Sequence, residues 1–320
     1  MWNIADRLAA LNQREQAIDI LNRITVYFPT HQLARQAVLR IAQTYAANLA
    51  SPLRAVETYQ EYLSQVGDDG NAREQIFAIA SQLQSRQRYV ESLHVYGVFV
   101  DSFPTDQRAA AALQAIGSIH QINEVYDDAV ASYERIIAEY PGAAVIPQVK
   151  LAIAECQINL SQWYKARRTY EEFVSSFPKD GSGAIAKNRI EILKNLDRYQ
   201  KLLDDQEVDR NKDDAQFQIG RIVLEQLQYT DKAIREFRKV VTDYPKSHQA
   251  DDAQFEIGVA LLRVGRLDEA RDELLKVVTV YPNSPLADNA LFMVGQSFEQ
   301  QASRLSTVTV QVARAEAFER

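Results

Sequence analysis

The stretch KVVTVYPNSPLADNALFMVGQSF, Lys276 to Phe298, is nearly a second copy of KVVTDYPKSHQADDAQFEIGVAL, Lys239 to Leu261. The copies begin 37 residues apart (276 minus 239). Self-similarity at a fixed spacing of this size is the mark of a repeat array, in which each unit is one supersecondary element that buries its apolar side against the next. Aromatic-proline pairs carry the same beat: Phe28-Pro29, Phe103-Pro104, Tyr140-Pro141, Phe177-Pro178, Tyr244-Pro245 and Tyr281-Pro282. The intervals between prolines are 75, 37, 37, 67 and 37, and 75 is close to two periods with one mark missing near Val66.

Between marks the apolar residues follow a helical period. Ala253, Ile257, Gly258 and Leu261 recur at spacings of three and four, and the pattern restarts at Leu267, Ala270, Leu274 and Val277. Each unit therefore reads as helix A, a short turn such as Val264-Gly265-Arg266, and helix B. Proline ends helix B because it lacks a donor and clashes with the preceding turn. Ser51-Pro52 and Ser284-Pro285 read as an N-cap followed by proline at the first helical position.

Composition fits a folded helical protein. Of 320 residues 46% are hydrophobic and 25% charged, with 11 Gly and 9 Pro, which excludes collagen-like or low-complexity chains. A net charge of -7 with no clustered basic face argues against nucleic acid as partner. No apolar run reaches the roughly 18 residues that span a bilayer. The single Cys156, in AIAECQINL, excludes a disulfide framework and a cysteine-based zinc site, and is expected to be a buried structural thiol. The opening MWNIADRLAALNQREQAIDIL lacks the basic start and apolar core of a signal peptide, and VQVARAEAFER breaks off in a helical pattern. The expectation is a segment of a longer array, with membrane attachment only through regions outside it or through a partner.

The register resembles the tetratricopeptide repeat, a helix-turn-helix unit of about 34 residues. With Gly258 at the family's eighth position, Leu261, Ala270, Leu274, Val277 and Pro282 fall at positions eleven, twenty, twenty-four, twenty-seven and thirty-two. Gly117, Ala129, Tyr133 and Pro141 agree, as do Ala154, Ala166, Tyr170 and Pro178, and Ala80, Ser92, Tyr96 and Pro104. The resemblance implies an all-α fold, an α-solenoid wound as a right-handed superhelix. The unit YPxSxxADxAxFxxG, Tyr281 to Gly295, is similar to the variant in bacterial envelope proteins of the BamD and YbgF type. That similarity implies a periplasmic, outer-membrane-associated scaffold, with a cytoplasmic location as the alternative.

After Pro178 the beat fails. Ile185, Ile192, Leu196, Tyr199 and Leu203 predict one longer helix, with no aromatic-proline mark before the next unit near Asp213. The expected organisation is an N-terminal repeat block (1–178), a divergent long-helix connector (179–212) and a C-terminal block (213–320) whose last repeat is incomplete.

Catalytic patterns do not emerge. His31 and His248 follow prolines at inter-repeat turns, His94 lies on a helix B and His120 at packing position eleven; none stands at metal-ligand spacing. There is no phosphate loop, GxSxG elbow or Cys/His nucleophile pattern, so neither cofactor nor metal is expected. Asp213-Asp214 and Asp251-Asp252 sit at helix starts, where the dipole favours them, while Asp204-Asp205 fall at a helix end.

The informative surface is the inner wall of the stacked A helices. In the family, positions five, nine and twelve line it, an i, i+4, i+7 stripe. The candidate residues are Phe77, Phe217, Arg221, Leu224, Phe255, Val259, Leu262, Arg263, Phe292, Gln296 and Glu299, more aromatic and apolar in the C-terminal half. Aromatic and Arg residues on an apolar stripe fit a protein interface, although position five equally suits packing on a neighbouring helix A. The Lys and Asn pairing that clamps a terminal carboxylate in some relatives is missing. The expected function is a non-catalytic scaffold that binds a peptide or helical segment of a partner protein in its groove, in a bacterial envelope complex. The alternative is an architectural spacer or self-assembly module.

Overall fold

A computed structural model describes residues 1–206 and 211–318 of the chain. Among them are sixteen α-helices and no strand. They divide into two compact units, Met1–Leu160 and Ser161–Arg320.

The first unit contains α1 (Trp2–Ala10), α2 (Arg14–Tyr27), α3 (Gln32–Ala46), α4 (Pro52–Val66), α5 (Gly70–Ser85), α6 (Tyr89–Ser102), α7 (Ala109–Ile122), α8 (Tyr126–Glu139) and α9 (Ile146–Asn159). The second contains α10 (Trp163–Ser176), α11 (Gly183–Asp204), α12 (Lys212–Ile222), α13 (Thr230–Asp243), α14 (Ala250–Arg263), α15 (Leu267–Val280) and α16 (Ala287–Phe318). Within each unit every helix packs on the next in sequence. The long helix expected after Pro178 is α11; residues 207–210 of the expected connector lie outside the described residues.

Each aromatic-proline pair ends a B helix in one way. Phe28, Phe103, Tyr140, Phe177, Tyr244 and Tyr281 all leave the helix with φ between -120 and -134° and ψ between 51 and 63°, outside the α region that a following proline disfavours. The aromatic also reaches back along the array, for the Tyr140 hydroxyl donates to the Pro104 carbonyl at 2.8 Å. Where the mark is missing, α4 ends at Gly67 with φ +82°, a conformation that only glycine adopts without strain.

The hairpins close by small residues on helix A meeting large ones on helix B. A Cβ at Gly117 would stand 2.5 Å from Tyr133 Cε1, at Gly220 2.6 Å from Phe237 Cδ1, and at Gly258 2.5 Å from Leu274 Cγ. Tyr133, Phe237 and Leu274 are buried in consequence, each removal of such a side chain from water contributing roughly 1.5–3 kcal/mol.

Two local features depart from the sequence reading. Ser284 and Pro285 do not cap α16, which starts at Ala287; the Ser284 Oγ instead accepts the Leu286 amide in the preceding turn. Ser51 does occupy the N-cap of α4 with Pro52 next, but its side chain makes no cap bond. Helix α12 continues as a π turn, Val223–Leu227. Gly220 precedes the left-handed turn residue Gln228 by eight positions (228 minus 220), whereas Gly258 precedes Gly265 by seven (265 minus 258). The π turn absorbs that one extra residue and keeps Gly220 opposite Phe237.

Candidate partner-binding surface

Helices α12 and α14 bring part of the predicted stripe together. Phe217 and Arg221 on α12, Glu225 on the π turn that follows it, and Asp252, Phe255 and Glu256 on α14 line a concavity of about 250 Å³, to which Leu286 also contributes. Phe217 and Arg221, four residues apart, share one side of α12, and the π turn brings Glu225 within reach of Arg221. Phe217 is only 8% exposed, its ring 5.4 Å from that of Phe237. Phe255 is half-buried against the cluster of Leu274, Val277 and Ala290 that joins α14, α15 and α16. The floor is thus aromatic and held by packing.

The rim is charged. Arg221 donates to Glu225 at 3.2 Å and stays exposed. Burial raises the Glu256 carboxyl above its ordinary value; Arg263 and Arg221 pull the other way, Glu225 and Asp252 with the burial. Asp252 is raised too, by burial and by the neighbouring Asp251. Three carboxylates around an aromatic floor, with Arg221 already engaged by one of them, form a site suited to an apolar side chain followed by a cation.

The remaining candidates are dispersed. Leu224 is buried, while Val259 and Leu262 are half-buried and Arg263 is exposed on α14. Phe292, Gln296 and Glu299 are exposed on α16, Phe292 to 66%, and do not line the concavity. In the first unit Phe77 is half-buried, its ring edge-on to Tyr96 and Phe99 at 5.5 and 5.4 Å. A larger concavity of about 450 Å³ lies between α2, α3 and the start of α4, lined by Arg14, Asp19, Tyr45 and Arg54 among others. It carries the charges of a solvated surface and only Tyr45 as an aromatic wall, so the α12–α14 site is the better match to a protein segment.

Sequence reading missed a buried polar network in the second unit. Gln216 Nε2 donates to the Glu236 carbonyl at 3.1 Å and to its carboxylate at 2.9 Å, and Lys239 donates to the same carboxylate at 2.7 Å. One repeat later Gln254, Glu273 and Lys276 make the same three bonds at 3.0, 2.7 and 2.9 Å. The Glu236 version is extended: Lys232 pairs with it at 3.0 Å, the Ser161 hydroxyl donates to it at 3.0 Å, and Lys232 also bonds Ser161 and lies 5.3 Å from the Trp163 ring. Burial opposes ionisation of Glu236, but Lys232, Lys239 and Gln216 hold its carboxyl down to about 2. Burial lowers the Lys232 ammonium as well, with Glu236 as its main counterweight. The network locks helix A to helix B. The signal was present in the sequence as the repeated pairs Gln216/Gln254, Glu236/Glu273 and Lys239/Lys276.

Of the histidines, His31 accepts the Leu33 amide at the start of α3, and His248 stands 3.5 Å from Asp213. No three His, Cys, Asp or Glu converge as metal ligands would among the described residues, and none of the helices searched is long and apolar enough to cross a membrane.

The hairpin geometry and the small-residue register are those of tetratricopeptide repeats, and residues 148–180 match that repeat family. Residues 209–319 match a second family, the outer membrane lipoprotein YfiO, so its C-terminal third carries BamD-like features. Both matches point to a protein-interaction scaffold. No curated protein matches the chain. Among solved structures it is similar to YrrB, a tetratricopeptide repeat protein with an unusual peptide-binding site (18% identity, 73% of this chain, 98% of that one, TM-score 0.29). It is also similar to the P58(IPK) tetratricopeptide domain (12%, 93%, 97%, 0.38) and to a tetratricopeptide repeat protein from Parabacteroides merdae (13%, 81%, 96%, 0.33).

Proposed function

We propose that the protein is a non-catalytic adaptor that holds a segment of a partner protein against α12 and α14, in an assembly of the bacterial envelope. The observation that carries the reading is the convergence of Phe217, Phe255 and Arg221 on one concavity, rimmed by Glu225, Asp252 and Glu256. A hairpin array offers this surface ready-made, so binding orders only the ligand. The occupant is a short extended or helical stretch with an apolar residue for the aromatic floor and a Lys or Arg for the acidic rim. The envelope location rests on the match of residues 209–319 to an outer membrane lipoprotein family.

Because Phe217 is a core residue, replacing it would confound binding with folding. The test places a photo-crosslinking residue at Arg221, and a control at exposed Leu275 on α15, in cells. The reading expects one discrete partner captured from position 221, lost when Glu256 is changed to Lys, and no capture from 275. Equal capture at both positions, or indifference to Glu256→Lys, would overturn it and favour a spacer.

A further inference from the structure

Among the described residues, a phenylalanine ring that carries a cation carries an arginine, and a carboxylate holds that arginine as well. The Arg108 guanidinium lies 5.5 Å from the Phe99 ring and donates through Nε and Nη2 to Asp106, both at 2.8 Å. Arg73 lies 5.9 Å from the Phe103 ring and donates to the same Asp106 at 3.0 Å. Arg271 lies 4.3 Å from the Phe298 ring and donates to Asp268. A flat guanidinium does both at once, with its face on the ring and its donors pointing outward in one plane. The lysine that rests on a ring, Lys232, uses Trp163 instead.

The α12–α14 concavity sets out the same ring and acids without the cation. Asp252, Phe255 and Glu256 all line it from α14. At a spacing of four the two acids are neighbours on the helix surface, their Cβ atoms about 5–6 Å apart, and Phe255 adjoins Asp252 at a spacing of three. Among the described residues neither carboxylate receives a hydrogen bond or forms an ion pair, and no Arg or Lys lies over the Phe255 ring. Burial, the main cause in each, raises both carboxyls above their ordinary values. The lining holds three carboxylates against the one Arg221, and Glu225 already engages that arginine at 3.2 Å.

We propose that the cation which this concavity takes from a partner segment is an arginine, its guanidinium stacked on the Phe255 ring and donating along its edges to Asp252 and Glu256. The assignment rests on the docking role proposed above for α12 and α14, and adds the residue type that the site selects. Lysine is the poorer fit, because its ammonium is a compact, strongly hydrated point charge with no flat face to lay on the ring. Two carboxylates one helical turn apart match the two donor edges of one guanidinium, and charge-assisted bonds of this kind are the strong ones. Asp252 and Glu256 are therefore the residues that set specificity.

The test screens the full chain against a bead library of acetylated octapeptides randomised at every position, then measures the selected peptides by fluorescence anisotropy. The expected result is a shared arginine beside an apolar residue. Changing that arginine to lysine or to uncharged citrulline should weaken binding at least about tenfold, the effect of losing a hydrogen bond between charged groups. Asp252→Asn and Glu256→Gln, alone and together, should erase the preference for arginine, while the thermal melt stays as in the wild type because neither carboxylate holds a bond within the fold. Peptides that need Asp252 and Glu256 but take lysine as readily as arginine would overturn the assignment and leave the docking role standing. No selected peptide, or peptides indifferent to both substitutions, would overturn the two together. Arginine amide that displaced the peptides at equal concentration would make the ligand a small guanidine, and would equally overturn the assignment to a partner segment.

Discussion

Gly258 and Leu274 meet so closely that a Cβ on the glycine would lie 2.5 Å from the leucine Cγ, inside any normal carbon contact. This contact, with Gly117–Tyr133 and Gly220–Phe237, sets the distance between the two helices of a hairpin. The surfaces that remain for partners are those the contacts leave free.

The Lys232–Glu236 pair is buried, with both residues 5% exposed or less. Glu236→Ala should destabilise the second unit by about 3–5 kcal/mol, because the buried Lys232 then loses the carboxylate that faces it at 3.0 Å. Lys232→Met combined with Glu236→Leu should restore most of that loss. Urea unfolding followed by Trp163 fluorescence in a Trp2→Phe background reads it; a single variant no less stable than the double one would refute the network's role.

Acid should act through the same carboxylate. A Glu236 pKa depressed to about 2 from the ordinary 4.5 contributes stability that is complete above the unfolded value and lost as pH falls through the folded one. Asp106 in the first unit, held at about 2 mainly by its bonds from Arg108, behaves alike. Unfolding free energy should therefore fall between about pH 4.5 and about pH 2, and Glu236→Gln should flatten that fall in the second unit. An unchanged slope would contradict the assignment.

Cys156 is fully buried and its thiol is pushed up to about 12 by burial, with Glu155 adding to it. A thiol reagent at neutral pH should label it only as fast as the first unit opens. Immediate stoichiometric labelling of the native protein would show that α9 is not packed as described.

Several A-to-B turns place a non-glycine residue in the left-handed region, among them Gln87 at φ 60° and Glu124 at φ 59°. An L-residue there costs roughly 1–2 kcal/mol, part of which glycine gives back as chain entropy in the unfolded state. Glu124→Gly should thus stabilise the first unit by about 0.5–1 kcal/mol in thermal or urea melts; a loss of stability would mean that Glu124 holds a contact of greater value.

These turns show what sequence conveys and what it hides. The beat of proline and small residues was legible because every unit must solve the same packing problem with the same few residue types. The turn itself was visible only at Gly265, since Gln, Glu and Ser at the equivalent places look like ordinary helix residues. The extra residue at Val223–Leu227 was hidden by an apolar period that reads as continuous helix. At the candidate site, Phe217 and Phe255 share a register position, yet Phe217 is sealed by Phe237 while Phe255 meets a leucine and keeps more of its ring free. Ser161 joins Lys232 from 71 residues away, a pairing that no local pattern announces.

The central claim is that a side chain of helix B seated on a small residue of helix A builds each hairpin, whereas no described residue stands within 4 Å of a Cβ built on Gly295 of α16. Thermal melts of Gly258→Ala and Gly295→Ala test it most directly. Gly258→Ala should cost about 1–3 kcal/mol through overpacking against Leu274, a fall of several degrees, whereas Gly295→Ala should be neutral or gain up to about 1 kcal/mol of helix propensity. Equal losses in the two variants, or tolerance of both, would contradict the account.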